Sequence, residues 1–475
     1  MLFNSLAFLI FFPTVTVLFF LLPHRIRWAH LLLASCVFYA FFVPIYLLIL
    51  AFTIGVDYLA GILIEGAAGR RRKMFLLASI VANVGVLSVF KYWNFLNHNL
   101  AIGLGLIGAH NRIPMLSFAL PIGLSFHTFQ AMSYTIEVYR GRQAAERHLG
   151  IYALYVMFYP QLVAGPIERP QNMLPQFRVR QTYDPARVAS GLKTMAWGMF
   201  KKLVIADNLA IVVAAPFSQP RAYSGASLAV ATICFAFQIY CDFSGYSDIA
   251  IGSARTMGFT LMKNFDAPYE STSITEFWRR WHISLSTWFR DYVYIPLGGN
   301  RCSGARGVFN KMLVFLLSGL WHGANWTFIV WGGLHGLYVV VEQAIRRSGR
   351  KPPGPERPWS VPRVLGALST FAFVCLAWVF FRADHLGNAL LTVAKIVTLA
   401  PATELRDGLG ALDHRVGYLA LVPVLLALEA YDRRRNLFAR IGRLPVLPRY
   451  AIYATLVYGT ILFRGVSSQF IYFQF

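Results

Sequence analysis

Charged residues are scarce in this sequence: they make up 14% of 475 positions, and only 21 residues are acidic, whereas soluble domains carry about 25%. So few charges cannot cover a water-facing surface, and 57% apolar residues point to a chain solvated by lipid. Cysteine is scarce too. Cys36, Cys234, Cys241, Cys302 and Cys375 are scattered, never in CxxC spacing and mostly inside apolar runs, which indicates neither a disulfide framework nor a zinc knuckle. No GxxxxGK[ST] phosphate loop, no GxGxxG following a strand, no GxSxG elbow and no HExxH occur. Nucleotide-driven pumps, elbow hydrolases and zinc enzymes are disfavoured accordingly. The 44 Lys and Arg leave a formal net charge of +23, but they lie in short clusters between apolar runs and form no continuous basic face, so nucleic acid is not an expected partner.

What is present is a series of apolar runs. A helix needs about 20 apolar residues to cross a bilayer core, and residues 3–22, 29–52, 74–94, 114–136, 188–215, 224–252, 361–382, 415–432 and 450–466 approach or meet that length. Residues 53–66 form a shorter tenth candidate, and 149–165, 312–323 and 325–345 read as re-entrant or short tilted pieces. The expected fold is all-α and polytopic, with about ten to thirteen spanning and re-entrant helices, in one integral membrane domain over residues 1–475. Basic clusters mark cytoplasmic loops. The clusters at Arg70 to Lys73 and Arg346 to Lys351 are placed inside, and both ends of the chain, including the aromatic stretch 467–475, outside. Residues 252–311 are too polar to span yet rich in Trp and Phe, and read as an amphipathic layer on the cytoplasmic side.

Ionisable residues at membrane depth are costly and are functional candidates by default. His322 stands in SGLWHGANWTFIVWGGLHG, where glycines permit close helix approach and Trp321, Trp326 and Trp331 can wall the imidazole; a neutral histidine there can take a proton near pH 7. His335 follows thirteen residues later, and His282 lies in the polar layer within EFWRRWHISLSTWFRDYVYIPLGGNR. Asp242, in QIYCDFSGYSDIAIG, is either part of a polar network linking helices or an acid on a substrate or proton path. No His or Cys pair has metal-ligand spacing, so no metal is expected. A lipid or polysaccharide-precursor transporter would also fit many helices with intramembrane acids, but paired, broken helices in corresponding halves are missing.

FWRRWHISLSTWFRDYVYIPLGGNR followed forty residues after His282 by SGLWHG resembles the signature of the membrane-bound O-acyltransferase family. The likeness extends to SFHTFQAMSYTIEVYRG, GPIERP, YCDFSGYSDIAIG and the terminal FIYFQF, and within the family it is to the branch that acylates bacterial surface polysaccharides such as alginate, peptidoglycan and cellulose. The resemblance implies a ring of helices around a central tunnel, His322 as the catalytic base and His282 as the family's second site position. It also implies Tyr472 as the acyl-accepting residue of the terminal motif, and acetyl-CoA as a donor with no bound cofactor. A periplasmic SGNH-type acetyltransferase partner, an extracellular polysaccharide acceptor and residence in the bacterial inner membrane follow in the same way. In such a site Trp321 and Trp326 exclude water, His335 and Asp242 line the substrate, and Arg279, Arg280, Arg290 and Arg301 are candidates to hold the phosphates of the donor.

Overall fold

The computed structural model describes residues 1–117, 121–163, 165–347, 360–399, 417, 419–435, 437–465 and 470–471. Among them the regular structure is helical, and five helices are long and apolar enough to cross a membrane: Tyr46–Gly66, Gly69–Leu106, Gly225–Thr256, Trp326–Arg346 and Val361–Arg382. The chain is an all-α, multi-pass membrane protein. It divides into two compact units, one of Met1–Met195 with Ile249–Met262, the other of Ala196–Asp248 with Lys263–Phe475.

In the first unit the opening helix Leu6–Leu21 is capped by Ser5, whose hydroxyl accepts the Phe8 N–H at 3.2 Å, and Pro23 begins the next helix, His24–Ala40. The expected run 29–52 is therefore two pieces, because the chain turns at Phe41 to Pro44 before Tyr46–Gly66 starts. Residues 53–66 are the second half of that helix rather than a separate short span. The run 74–94 belongs to a longer helical stretch, 69–106, interrupted by a π-turn at Ser88–Tyr92. A buried carboxyl ties three of these helices: Asp57 accepts from Ser79 at 2.6 Å and from Asn83 at 2.9 Å, and Ser79 also meets Thr135 on Leu124–Tyr139. With no water to compete, such hydrogen bonds fix which helix faces meet.

GPIERP also finds its purpose in this unit. The Glu168 carboxylate accepts the Met262 N–H at 2.5 Å and the Asn172 amide at 2.7 Å, while its carbonyl accepts Tyr155 OH at 3.0 Å. Burial raises the Glu168 carboxyl above its ordinary range, against the pull of those bonds. The motif is a loop anchor.

The second unit contains the polar layer from Lys263 onward, whereas 252–256 end the helix Gly225–Thr256. Between Lys263 and Ser303 the chain forms the short helices Ile274–Arg280 and Ile283–Phe289 and a π-turn at Arg290–Tyr294. There follows a helical hairpin, Gly304–His322 and Trp326–Arg347. It closes at two glycines: a Cβ on Gly319 would lie 2.2 Å from the Phe328 carbonyl oxygen, and one on Gly332 would lie 2.3 Å from the Phe315 carbonyl oxygen. Small residues at a crossing let helix backbones approach, and this approach brings the end of the first helix, His322, against the second. Val361–Arg382 packs its buried Trp378 and Phe381 onto the hairpin's Trp331.

Candidate active site

His322 is the last residue of Gly304–His322 and is buried. Its ring meets Trp321 at 4.8 Å, Trp331 at 5.0 Å and Phe381 at 5.3 Å between centroids, all edge-on. Two of these walls are tryptophans named from the sequence. The third, Phe381, comes from a helix whose AWVFF run reads simply as a membrane span. Trp326 opens the second hairpin helix and is 52% exposed. The rings packed against His322 are Trp321, Trp331 and Phe381.

His282 shares the Trp321 indole with His322, at 6.2 Å between centroids. It caps Ile283–Phe289 in the left-handed region, φ 42° and ψ 55°, a conformation that costs a non-glycine residue about 1–3 kcal/mol and persists only where the surroundings over-determine it. They do so through Asn264. Its carbonyl oxygen accepts from His282 Nδ1 at 3.1 Å and from the Ser284 hydroxyl at 2.9 Å, and its own backbone carbonyl accepts the Ile283 N–H at 2.9 Å. Asn264 in turn donates to Ser247. With Nδ1–H donating, Nε2 carries the ring's lone pair, and burial lowers the His282 pKa to about 3, so the imidazole is neutral at any physiological pH. Nothing in the local sequence announces Asn264, eighteen residues upstream.

His282→Gly separates backbone from side chain, since glycine adopts φ 42° without strain. The glycine variant is expected to melt near the wild type and to lose about tenfold or more in donor affinity or turnover, read as KM and kcat separately. Unchanged values of both would reduce His282 to a backbone element.

His335 is fully buried on the other side of Trp331, at 5.0 Å from it. Its Nδ1 accepts from Trp278 Nε1 at 3.3 Å and its ring stacks within 5° of Phe277. The WRRW segment thus holds this second imidazole. Of the four arginines, Arg279, Arg290 and Arg301 are exposed; Arg280 is paired with Glu276 at 2.6 Å, and Arg290 with its chain neighbour Asp291 at 2.8 Å. Burial alone would raise Glu276, but the Thr272 N–H and Arg280 outweigh it and hold the carboxyl below its usual range.

Asp242 faces a cation. Its carboxylate pairs with Lys202 at 2.6 Å, Lys202 pairs with Asp207 at 2.8 Å, and the second Asp242 oxygen accepts the Ile471 N–H at 2.8 Å. The polar-network reading of Asp242 describes these bonds, and the acid on an open substrate path does not. Neither Lys202 nor the chain's own end is foreseeable as its partner. Tyr472 lies outside the described residues, but Phe470 and Ile471 before it are buried. Phe470 lies 4.2 Å from Tyr246 and 5.8 Å from Phe243, and Phe243 stands edge-on to His282 at 4.6 Å.

These residues fall in or beside a stretch, 119–383, that matches the model of the membrane-bound O-acyltransferase family. The chain belongs to that family. Among its relatives, a Pseudomonas aeruginosa protein named probable alginate O-acetylase AlgI is 42% identical over 396 residues, 82% of this chain and 73% of the relative. A Helicobacter pylori peptidoglycan O-acetyltransferase is 37% identical over 398 residues, 78% of this chain and 73% of its own. A Bacillus subtilis teichoic acid D-alanyltransferase is 26% identical over 337 residues, 67% and 82% respectively. The chain is an O-acyltransferase of the polysaccharide-modifying branch, and the transporter alternative falls away.

Proposed function

We propose that this membrane-bound O-acyltransferase carries an acetyl group from cytoplasmic acetyl-CoA to its own Tyr472. From there a periplasmic SGNH-type acetyltransferase would pass it to an extracellular polysaccharide, alginate by the names of several relatives, with peptidoglycan and cellulose as the related choices. The chain would sit in the bacterial inner membrane. The observation that carries this reading is the position of Phe243, whose ring touches both His282 and Phe470, so that the segment ending in Tyr472 and the histidine pair share a neighbour.

The chemistry is acyl transfer. The Tyr472 oxygen attacks the thioester carbonyl, His322 takes the phenolic proton, the C–O bond forms as the C–S bond breaks, and the proton passes to the departing thiolate. Trp321, Trp331 and Phe381 keep water from competing for the donor. His282, neutral and fixed by Asn264, orients donor or acceptor, and Arg279 and Arg301 attract the phosphates of CoA at the cytoplasmic layer. A covalent relay moves the acyl group and leaves CoA behind. Purified protein incubated with radiolabelled acetyl-CoA is expected to retain label on its C-terminal peptide as an alkali-labile ester; label found only as free acetate would overturn the relay.

A further inference from the structure

The terminal segment is tied to the second unit by its backbone at three places. Asn208 donates to the Phe463 carbonyl at 2.9 Å, the Leu203 carbonyl accepts the Gly465 N–H at 2.8 Å, and Asp242 accepts the Ile471 N–H at 2.8 Å. The first two partners lie in or directly after the π-turn Lys201–Ala206, where the Asp207 N–H reaches back five residues to Lys202. That turn also delivers Lys202 to Asp207 and Asp242. Turns of this kind are frequent at functional positions. Gly465 is required for the approach, since a Cβ there would lie 2.7 Å from the Asp207 carbonyl carbon and 2.8 Å from the Asn208 nitrogen.

We propose that Asp242, oriented by Lys202, is the positioning residue for the acyl-accepting end of the chain, with Gly465 setting the register in which that end enters. A carboxylate acceptor makes a stronger hydrogen bond to a backbone N–H than a neutral oxygen does, and its pairing with Lys202 fixes the direction in which it accepts. Holding Ile471 confines the next Cα to within about 3.8 Å of its own, which limits the space that residue can search. Because the bond is to backbone, it sets where the acceptor stands without reading its side chain. The proposal rests on Tyr472 being that acceptor.

The test compares full-length Asp242→Asn, Asp242→Ala and Gly465→Ala proteins in detergent. Asparagine keeps an oxygen for the Ile471 N–H, alanine removes it, and Gly465→Ala displaces the segment while leaving the ion pairs intact. Carboxypeptidase digestion followed by intact mass is expected to stop early in wild type and Asp242→Asn, and to run at least about tenfold faster in both alanine variants. Acetyl transfer to the C-terminal peptide should fall by about 10²-fold in those two, the scale of a misplaced reactant, and be largely rescued in Asp242→Asn. Should Asp242→Ala fail to fold, as its melting temperature would reveal, Gly465→Ala carries the test. Equal protection and equal acetylation in a folded alanine variant, or an Asp242→Asn protein as impaired as Asp242→Ala, would overturn the proposal. A wild-type protein that takes no acetyl on Tyr472 would instead remove the acceptor reading, and the digestion would still report whether Asp242 holds the segment.

Discussion

His322→Ala is expected to lower polymer acetylation by about 10²–10⁴-fold, the contribution of a positioned general base, while the protein still inserts and folds. The imidazole ends its helix inside a cage of Trp321, Trp331 and Phe381, so alanine leaves a small cavity lined by three aromatic rings. None of those three walls is a base that could take a proton in its place. The hairpin itself closes through Gly319 and Gly332, which the substitution does not touch, so the loss of stability is expected to stay at about 1–3 kcal/mol. Acetyl content of the polymer from cells carrying the variant, set against protein amount in the membrane fraction, measures the effect. Wild-type acetylation would remove His322 from the chemistry.

Tyr472→Phe is expected to reduce polymer acetylation by more than about 10³-fold, as removal of a covalent nucleophile does, with normal expression and melting temperature. The substitution deletes one oxygen and keeps the ring, so it distinguishes an acyl carrier from an aromatic anchor at the membrane boundary, where Tyr and Phe are both at home. The preceding Phe470 and Ile471 supply the burial, and their packing on Tyr246 and Asp242 does not depend on the hydroxyl. The label on the C-terminal peptide and the acetyl content of the polymer should disappear together. Full polymer acetylation in Tyr472→Phe would mean direct transfer from donor to polymer and leave Tyr472 as an anchor.

Much of this molecule is legible along the chain. The close approach around His322 follows from its glycines, since Gly319 and Gly332 signal it before any coordinate is known, although 325–345, expected as a re-entrant or short tilted piece, is a helix long enough to cross a membrane; the stretch 252–311 stands out by its Pro, Trp and Arg content. Helix ends are less legible: Phe41 to Pro44 breaks a run that looks continuous, and Trp93–Leu106 extends one that looks finished at residue 94, because hydropathy does not report where the backbone turns. Trp326, four residues from His322 in sequence, is half exposed in the fold. Proximity to His322 in sequence does not say which side of a tight turn a ring will take.

The sequence by itself determined that the protein is helical and membrane-spanning, since a backbone in lipid satisfies its hydrogen bonds only in helices or closed barrels and continuous apolar runs of this length lack the alternation of barrel strands. It also placed the two histidines, forty residues apart, on segments of contrasting polarity. Only the tertiary structure decided what surrounds them. That His282 is held left-handed by Asn264, that Phe381 closes the cage around His322, and that Asp242 finds both Lys202 and Ile471 are outcomes of which helix faces meet. The partners of Asp242 show the reason: Ile471 lies 229 positions away. Apolar attraction between segments carries no direction, so the periodicity of a helix shows that a face will be covered. Which face covers it is settled by packing and by the few buried polar groups that must find one another.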